Sequence, residues 1–138
     1  MIFNKKKEIG DDSSYLIKIA ALLIHAAKID EEYSNKEEEI IKEALLDLGA
    51  NQNELETLII KAKQSEANAH QILDFTREIK NLDETDKIKI IKSLWRIIYS
   101  NKNADMYETN LMRRLSGLLY IDNKTMGDIK ELIKKENL

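Results

Sequence analysis

The chain has 138 residues, 43% hydrophobic and 34% charged, with a net charge of −3 and neither cysteine nor proline. That length suits one domain, and the charge density is too high for a membrane protein. Apolar runs such as 88–99 are broken by charges, here Lys89, Lys92 and Arg96, so none approaches the roughly 20 residues a spanning helix needs. Without cysteine there is neither a disulfide framework nor a thiolate metal site, and the net acidity speaks against a nucleic-acid binder, which carries a basic stripe.

Residues 1–11, with Lys5-Lys6-Lys7, read as a flexible, solvated arm. No apolar stretch of signal-peptide type followed by a small-residue cleavage site stands behind these lysines, and with the lack of cysteine a cytoplasmic location is expected. Residues 12–138 read as one helical domain, because apolar residues recur at steps of three and four. Leu16, Ala20, Leu23 and Ala27 form the first stripe, with Asp12, Ser13 or Ser14 as its cap. Ile41, Ala44, Leu45 and Leu48 form the second, entered through Ser34-Asn35-Lys36-Glu37. That tetrapeptide is a capping box, in which the Ser34 hydroxyl and the Glu37 carboxylate each satisfy an otherwise orphan backbone N–H. Gly49 ends this helix, where a residue without a Cβ turns left-handed most cheaply.

Leu55, Leu58, Ile59 and Ala62 follow Asn51 as a third stripe, and Ile72, Phe75 and Ile79 make a shorter fourth. The fifth helix, 83–99, is apolar on more than one side and is expected to be surrounded by others. Within it, Trp95 and Ile98 are expected in the core, facing Leu23 and Ala27. Asp105 to Glu108 form a second capping box before Leu111, Met112, Leu115, Leu118 and Leu119. Met126, Ile129, Leu132 and Ile133 close the chain, capped by Asp122 or Asn123. The result is an all-α domain of about seven helices.

A shift of 71 positions superposes the two halves of this pattern. Asp12 falls on Asp83, Leu23 on Leu94, Ile24 on Trp95 and Ala27 on Ile98. Glu37 falls on Glu108, Ile41 on Met112, Leu48 on Leu119 and Asn51 on Asp122. Caps and core positions agree without a gap, as expected of a duplicated helical unit whose two apolar faces bury one another.

The stretch Leu22-Leu23-Ile24-His25-Ala26-Ala27-Lys28-Ile29-Asp30, followed by Glu37-Glu38, resembles the first motif of the tellurite-resistance TerB family. Leu94-Trp95-Arg96-Ile97-Ile98-Tyr99-Ser100, with Tyr107-Glu108 and Leu111-Met112-Arg113-Arg114-Leu115, resembles the second. The resemblance implies a seven-helix fold in two pseudo-repeated halves. It also implies an acidic, metal-binding cluster of Asp30 and Glu37 from the first half and Glu108 from the second. Two departures stand out: Glu31 replaces the first motif's glycine, and Asn101-Lys102 replaces the second Asp-Gly, so one of four carboxylates is missing.

Asp30 attracts notice on physical grounds as well. A helix C-terminus carries about half a negative charge, and Asp30, Glu31 and Glu32 crowd one. A bound cation would remove that conflict, and an all-oxygen site suits Ca²⁺, Mg²⁺ or Mn²⁺. The plainer reading makes Asp30 a solvated loop acid, with Glu37 and Glu108 as caps. An EF-hand starting at Asp30 fails, with Asn35 where glycine belongs and Ile41 where the bidentate glutamate belongs. A di-iron bundle needs Glu-x-x-His, but Leu22 precedes His25 and Ala67 precedes His70 at that spacing. His25 reads as a core-edge residue. With no base–nucleophile pair in the sequence, a non-enzymatic module is expected, acting in a stress or tellurite response through a protein partner, with the divalent cation. A metal-dependent enzyme built on the same acids, or a ligand-free adaptor, are the alternatives.

Overall fold

The computed structural model describes the backbone of residues 2–30, 34–69, 71–100 and 108–136, and the side chains of 14–29, 34–69, 71–100 and 110–136. Helix α1 spans Ile2–Ala27 and runs into a 3-10 turn, Lys28–Asp30. Helix α2 is Asn35–Asp47, and a 3-10 turn at Gln52–Glu54 leads into α3, Leu55–Asn68. Then come α4, Leu73–Ile79, and α5, Glu84–Tyr99. A π-turn at Glu108–Met112 opens α6, Arg113–Leu118, and α7 is Asn123–Glu136. The described residues thus hold seven α-helices and no strand, the all-α class read from the periodicity.

Helix α1 starts earlier than its apolar stripe suggests. From Ile2 on, residues assigned to an arm are helical, so Asp12, Ser13 and Ser14 lie inside the helix instead of capping it. Nucleating a helix is costly, but extending one needs only a further hydrogen bond per residue. The Lys- and Glu-rich segment 4–8 has good intrinsic helix propensity, and the buried part of α1 supplies its nucleus.

The core gathers on α1 and α5. Every residue from Ile19 to Ile24 is buried, which no amphipathic surface helix allows. The reason is that α2, α3, α4 and α5 all pack against α1. Helix α5 buries Ile90, Ile91, Leu94, Trp95, Ile97 and Ile98 and also meets α2 and α7. Each fully buried Leu or Ile side chain contributes about 1.5–3 kcal/mol through loss of apolar surface from water. The stripes on α3 and α4 and at the start of α6 are buried as their spacing requires. Leu132 departs from its stripe: it is 48% exposed while Met126, Ile129 and Ile133 face inward.

The turns that close α2 and α6 share one geometry. After α2, the Leu48, Gly49 and Ala50 amides donate to the carbonyls of Ala44, Leu46 and Leu45 at 3.1, 3.1 and 2.9 Å. After α6, those of Leu119, Tyr120 and Ile121 donate to Leu115, Gly117 and Ser116 at 2.9, 3.3 and 3.0 Å. Each donor and each acceptor pairs with its counterpart 71 residues on. The left-handed position is Gly49 in one turn (φ 108°) and Tyr120 in the other (φ 58°). Glycine takes that conformation freely and tyrosine does not. The ammonium groups of Lys80 and Lys87 lie 5.7 and 5.8 Å from the centroid of the exposed Tyr120 ring, and cation–π attraction offsets part of the strain.

Candidate acidic site

Of the three predicted ligands, Glu37 is the one whose side chain is described. It sits at the third position of α2 and is 3% exposed. Its Oε1 accepts from the Ser34 backbone N–H at 2.8 Å and the Ser34 hydroxyl at 3.1 Å, while the Glu37 N–H donates to Ser34 Oγ at 3.3 Å. The capping box predicted from the tetrapeptide is therefore formed. Its physical cause is the row of unsatisfied N–H groups at a helix start, which also favours a negative charge there.

Asp30 ends the 3-10 turn after α1, and Glu108 begins the π-turn before α6. The side chains of both lie outside the described residues, as do Glu31, Glu32, Asn101, Lys102 and Asp105. The capping box at Asp105 to Glu108 and the effect of Asn101-Lys102 fall there too.

Beside this region is a charge network that the periodicity does not reveal. Glu66, near the end of α3, receives Lys28 Nζ at 2.7 Å and faces His25 Nδ1 at 3.3 Å. The His25 ring tilts against Phe75, with centroids 6.0 Å apart, which makes it the core-edge histidine expected. Burial pushes the Glu66 carboxyl up, but the hydrogen bonds and charges of Lys28 and His25 outweigh it, so its pKa lies below the ordinary range. A carboxyl lowered in the folded state adds stability that is full above its unfolded pKa and is lost as pH falls through the folded one. Replacing Glu66 by Gln should therefore flatten the pH dependence of unfolding: between about pH 5 and pH 3 the variant should lose less stability than the wild type, by ~1 kcal/mol at most. Parallel pH profiles in denaturant check this.

Neighbouring acids are matched in the same way. Glu38 lies 3.3 Å from Lys63 and 3.7 Å from Lys42, and Lys42 reaches Glu56 at 3.5 Å. At the start of α7, the Asp122 carboxylate accepts from the Thr125 N–H at 2.7 Å, the cap anticipated there. That hydrogen bond holds Asp122 below the usual carboxylate range.

Seven helices with a capped, buried glutamate after the first define an all-α acidic module. The family model described as Tellurite resistance protein TerB matches residues 16–131, most of the chain, and the chain belongs to that family. Comparison with curated proteins and with solved structures gives no match. Among the described residues, no helix is long and apolar enough to cross a membrane.

Proposed function

We propose that the chain is a non-enzymatic TerB module that works through contacts with a protein partner in a stress or tellurite response, organised by a divalent cation at Asp30, Glu37 and Glu108. The observation that supports this reading most is the burial of Glu37. A carboxylate 3% exposed at the head of α2 is costly unless hydrogen bonds and opposite charge attend it. Its Oε1 meets the cap, and a capped carboxylate can still serve a cation through its other oxygen. Asp30 and Glu108 each stand at a break between helices, and their convergence with Glu37 on one ion is part of the proposal. Ca²⁺, Mg²⁺ and Mn²⁺ suit such oxygens better than Zn²⁺ does. The non-enzymatic reading rests on the sequence, which offers no base–nucleophile pair.

Titration of metal-free protein with Ca²⁺, Mg²⁺, Mn²⁺ and Zn²⁺, followed by NMR amide shifts, tests the cation. Weak saturable binding is expected, with shifts concentrated at the first-half acids. Asp30→Asn should abolish it, and Asn101→Asp, which restores the missing charge, should tighten it about tenfold, ~1.4 kcal/mol. If Asn101→Asp leaves the affinity unchanged, the acids do not share an ion. They are then caps and surface charge, and the ligand-free adaptor takes precedence.

A further inference from the structure

We propose that the open trough between α5, α6 and α7 is a docking site for an acidic segment of a partner protein. Arg113 and Lys130 would receive its carboxylates, and the floor of Trp95, Met112 and Met126 an apolar side chain between them. The trough encloses about 430 Å³. Arg113, Asn123 and Gly127 on its lining are exposed, whereas Trp95, Met112 and Met126 are buried. A cleft so open on one side does not enclose a free small molecule, which binding sites bury for the most part, but it does let a peptide chain pass through.

The charge argument comes from the molecule's own first half. Counting back 71 residues, Arg113 corresponds to Lys42, Gly127 to Glu56, Lys130 to Ile59 and Ser116 to Leu45. In the first half the matching residues Ile24, Ile41, Leu45, Leu55 and Ile59 are all apolar and buried. Lys42 there is balanced by Glu56 at 3.5 Å and Glu38 at 3.7 Å. In the second half both acids are gone, replaced by Gly127 and Thr109. Among the described residues Arg113 has no carboxylate within ion-pair distance. Lys130 adds a second cation, its Nζ 5.9 Å from the Trp95 ring centroid. Apolar Leu45 and Ile59 and acidic Glu56 thus correspond to Ser116, Lys130 and Gly127 around an open, cationic trough, and beside Arg113 the described residues supply no carboxylate. Arginine favours carboxylates through paired N–H donors.

A second observation concerns Trp95. It lines the trough at 3% exposure, and its Nε1–H is buried without an acceptor among the described residues. Buried indole N–H groups normally find a partner, and a docked peptide would offer carbonyl oxygens beside it. At Gly127 a Cβ meets no atom within 4 Å, so packing does not forbid a side chain there and a substitution can be used to fill the trough.

This site gives a chemistry to the partner contact proposed above, and its test is kept apart from the cation by metal-free buffer. The full chain carries one tryptophan, so Trp95 emission reports directly on the trough. A blocked peptide of alternating glutamate and leucine should change that emission saturably. The same peptide with glutamine for glutamate should bind at least about tenfold more weakly, and Arg113→Gln should weaken the acidic peptide by about tenfold. Gly127→Glu, which restores the first-half arrangement, should abolish binding while the thermal unfolding transition stays intact. Arg114→Gln, at the exposed neighbouring arginine, should change affinity by less than about twofold. Absence of a saturable change, equal binding of the glutamine peptide, equal loss in the Arg114 and Arg113 variants, or tighter binding of a single-stranded oligonucleotide than of the peptide would each overturn the proposal.

Discussion

Truncating Trp95 to alanine should lower the free energy of unfolding by roughly 3–5 kcal/mol, the range for large aromatic residues in cores. The indole is 3% exposed and stacks on Tyr99, with ring centroids 5.8 Å apart and planes 24° apart. Its removal therefore forfeits apolar burial and an aromatic contact together. Two features moderate the loss. The trough on one side lets neighbours relax into part of the cavity, and the unsatisfied Nε1–H disappears with the ring. Trp95→Phe separates these effects, because it keeps most of the volume while removing a buried donor whose lack of a partner costs about 1–3 kcal/mol. It should cost less than half of what the alanine variant costs. Denaturant titrations of the two variants provide the measurement. A loss under about 1 kcal/mol for Trp95→Ala, in the range of surface changes, would mean that the ring does not carry core energy.

The second large effect is expected at Leu23 and Leu94, which fall on one another at the 71-residue offset and are both fully buried. Leucine-to-alanine changes at such sites cost about 2–5 kcal/mol, through lost transfer energy and a cavity that rigid surroundings cannot fill. Both variants should fall in that range, while Leu132→Ala, at a residue 48% exposed, should stay within about 0.5 kcal/mol of the wild type. Should one leucine prove costly and the other not, α1 and α5 would not share the burden of the core.

Trp95 shows how far a one-dimensional pattern reaches. Its burial follows from apolar neighbours on a greasy helix, and it is buried. Which groups it meets does not follow. The contacts described for it are Tyr99 on its own helix, Lys130 on α7 and a trough wall shared with Met112 and Met126. Helical periodicity gives the direction of a side chain around its own axis but says nothing of which helix lies opposite. The trough left a trace in the sequence all the same: at the 71-residue offset, Glu56, Ile59 and Leu45 become Gly127, Lys130 and Ser116. Matching the halves for what they share passes over such differences.

Local chemistry was sufficient for the seven helices, the Ser34–Glu37 capping box, the Asp122 cap and the left-handed turn at Gly49. Each is decided by residues within a few positions of one another, through periodic burial, backbone hydrogen bonding or a missing Cβ. The motifs at 22–38 and 94–115 sufficed for the family. Tertiary structure alone decided that residues 19–24 of α1 are enclosed on all sides, that Glu66 binds both His25 and Lys28 from 41 and 38 residues away, and that, among the described residues, Lys42 is balanced by acids while Arg113 is not. Those outcomes depend on helix packing, where the free energy of one ion pair or one open trough is small beside the apolar burial that sets the arrangement. Charges and clefts therefore settle wherever the packed core leaves them.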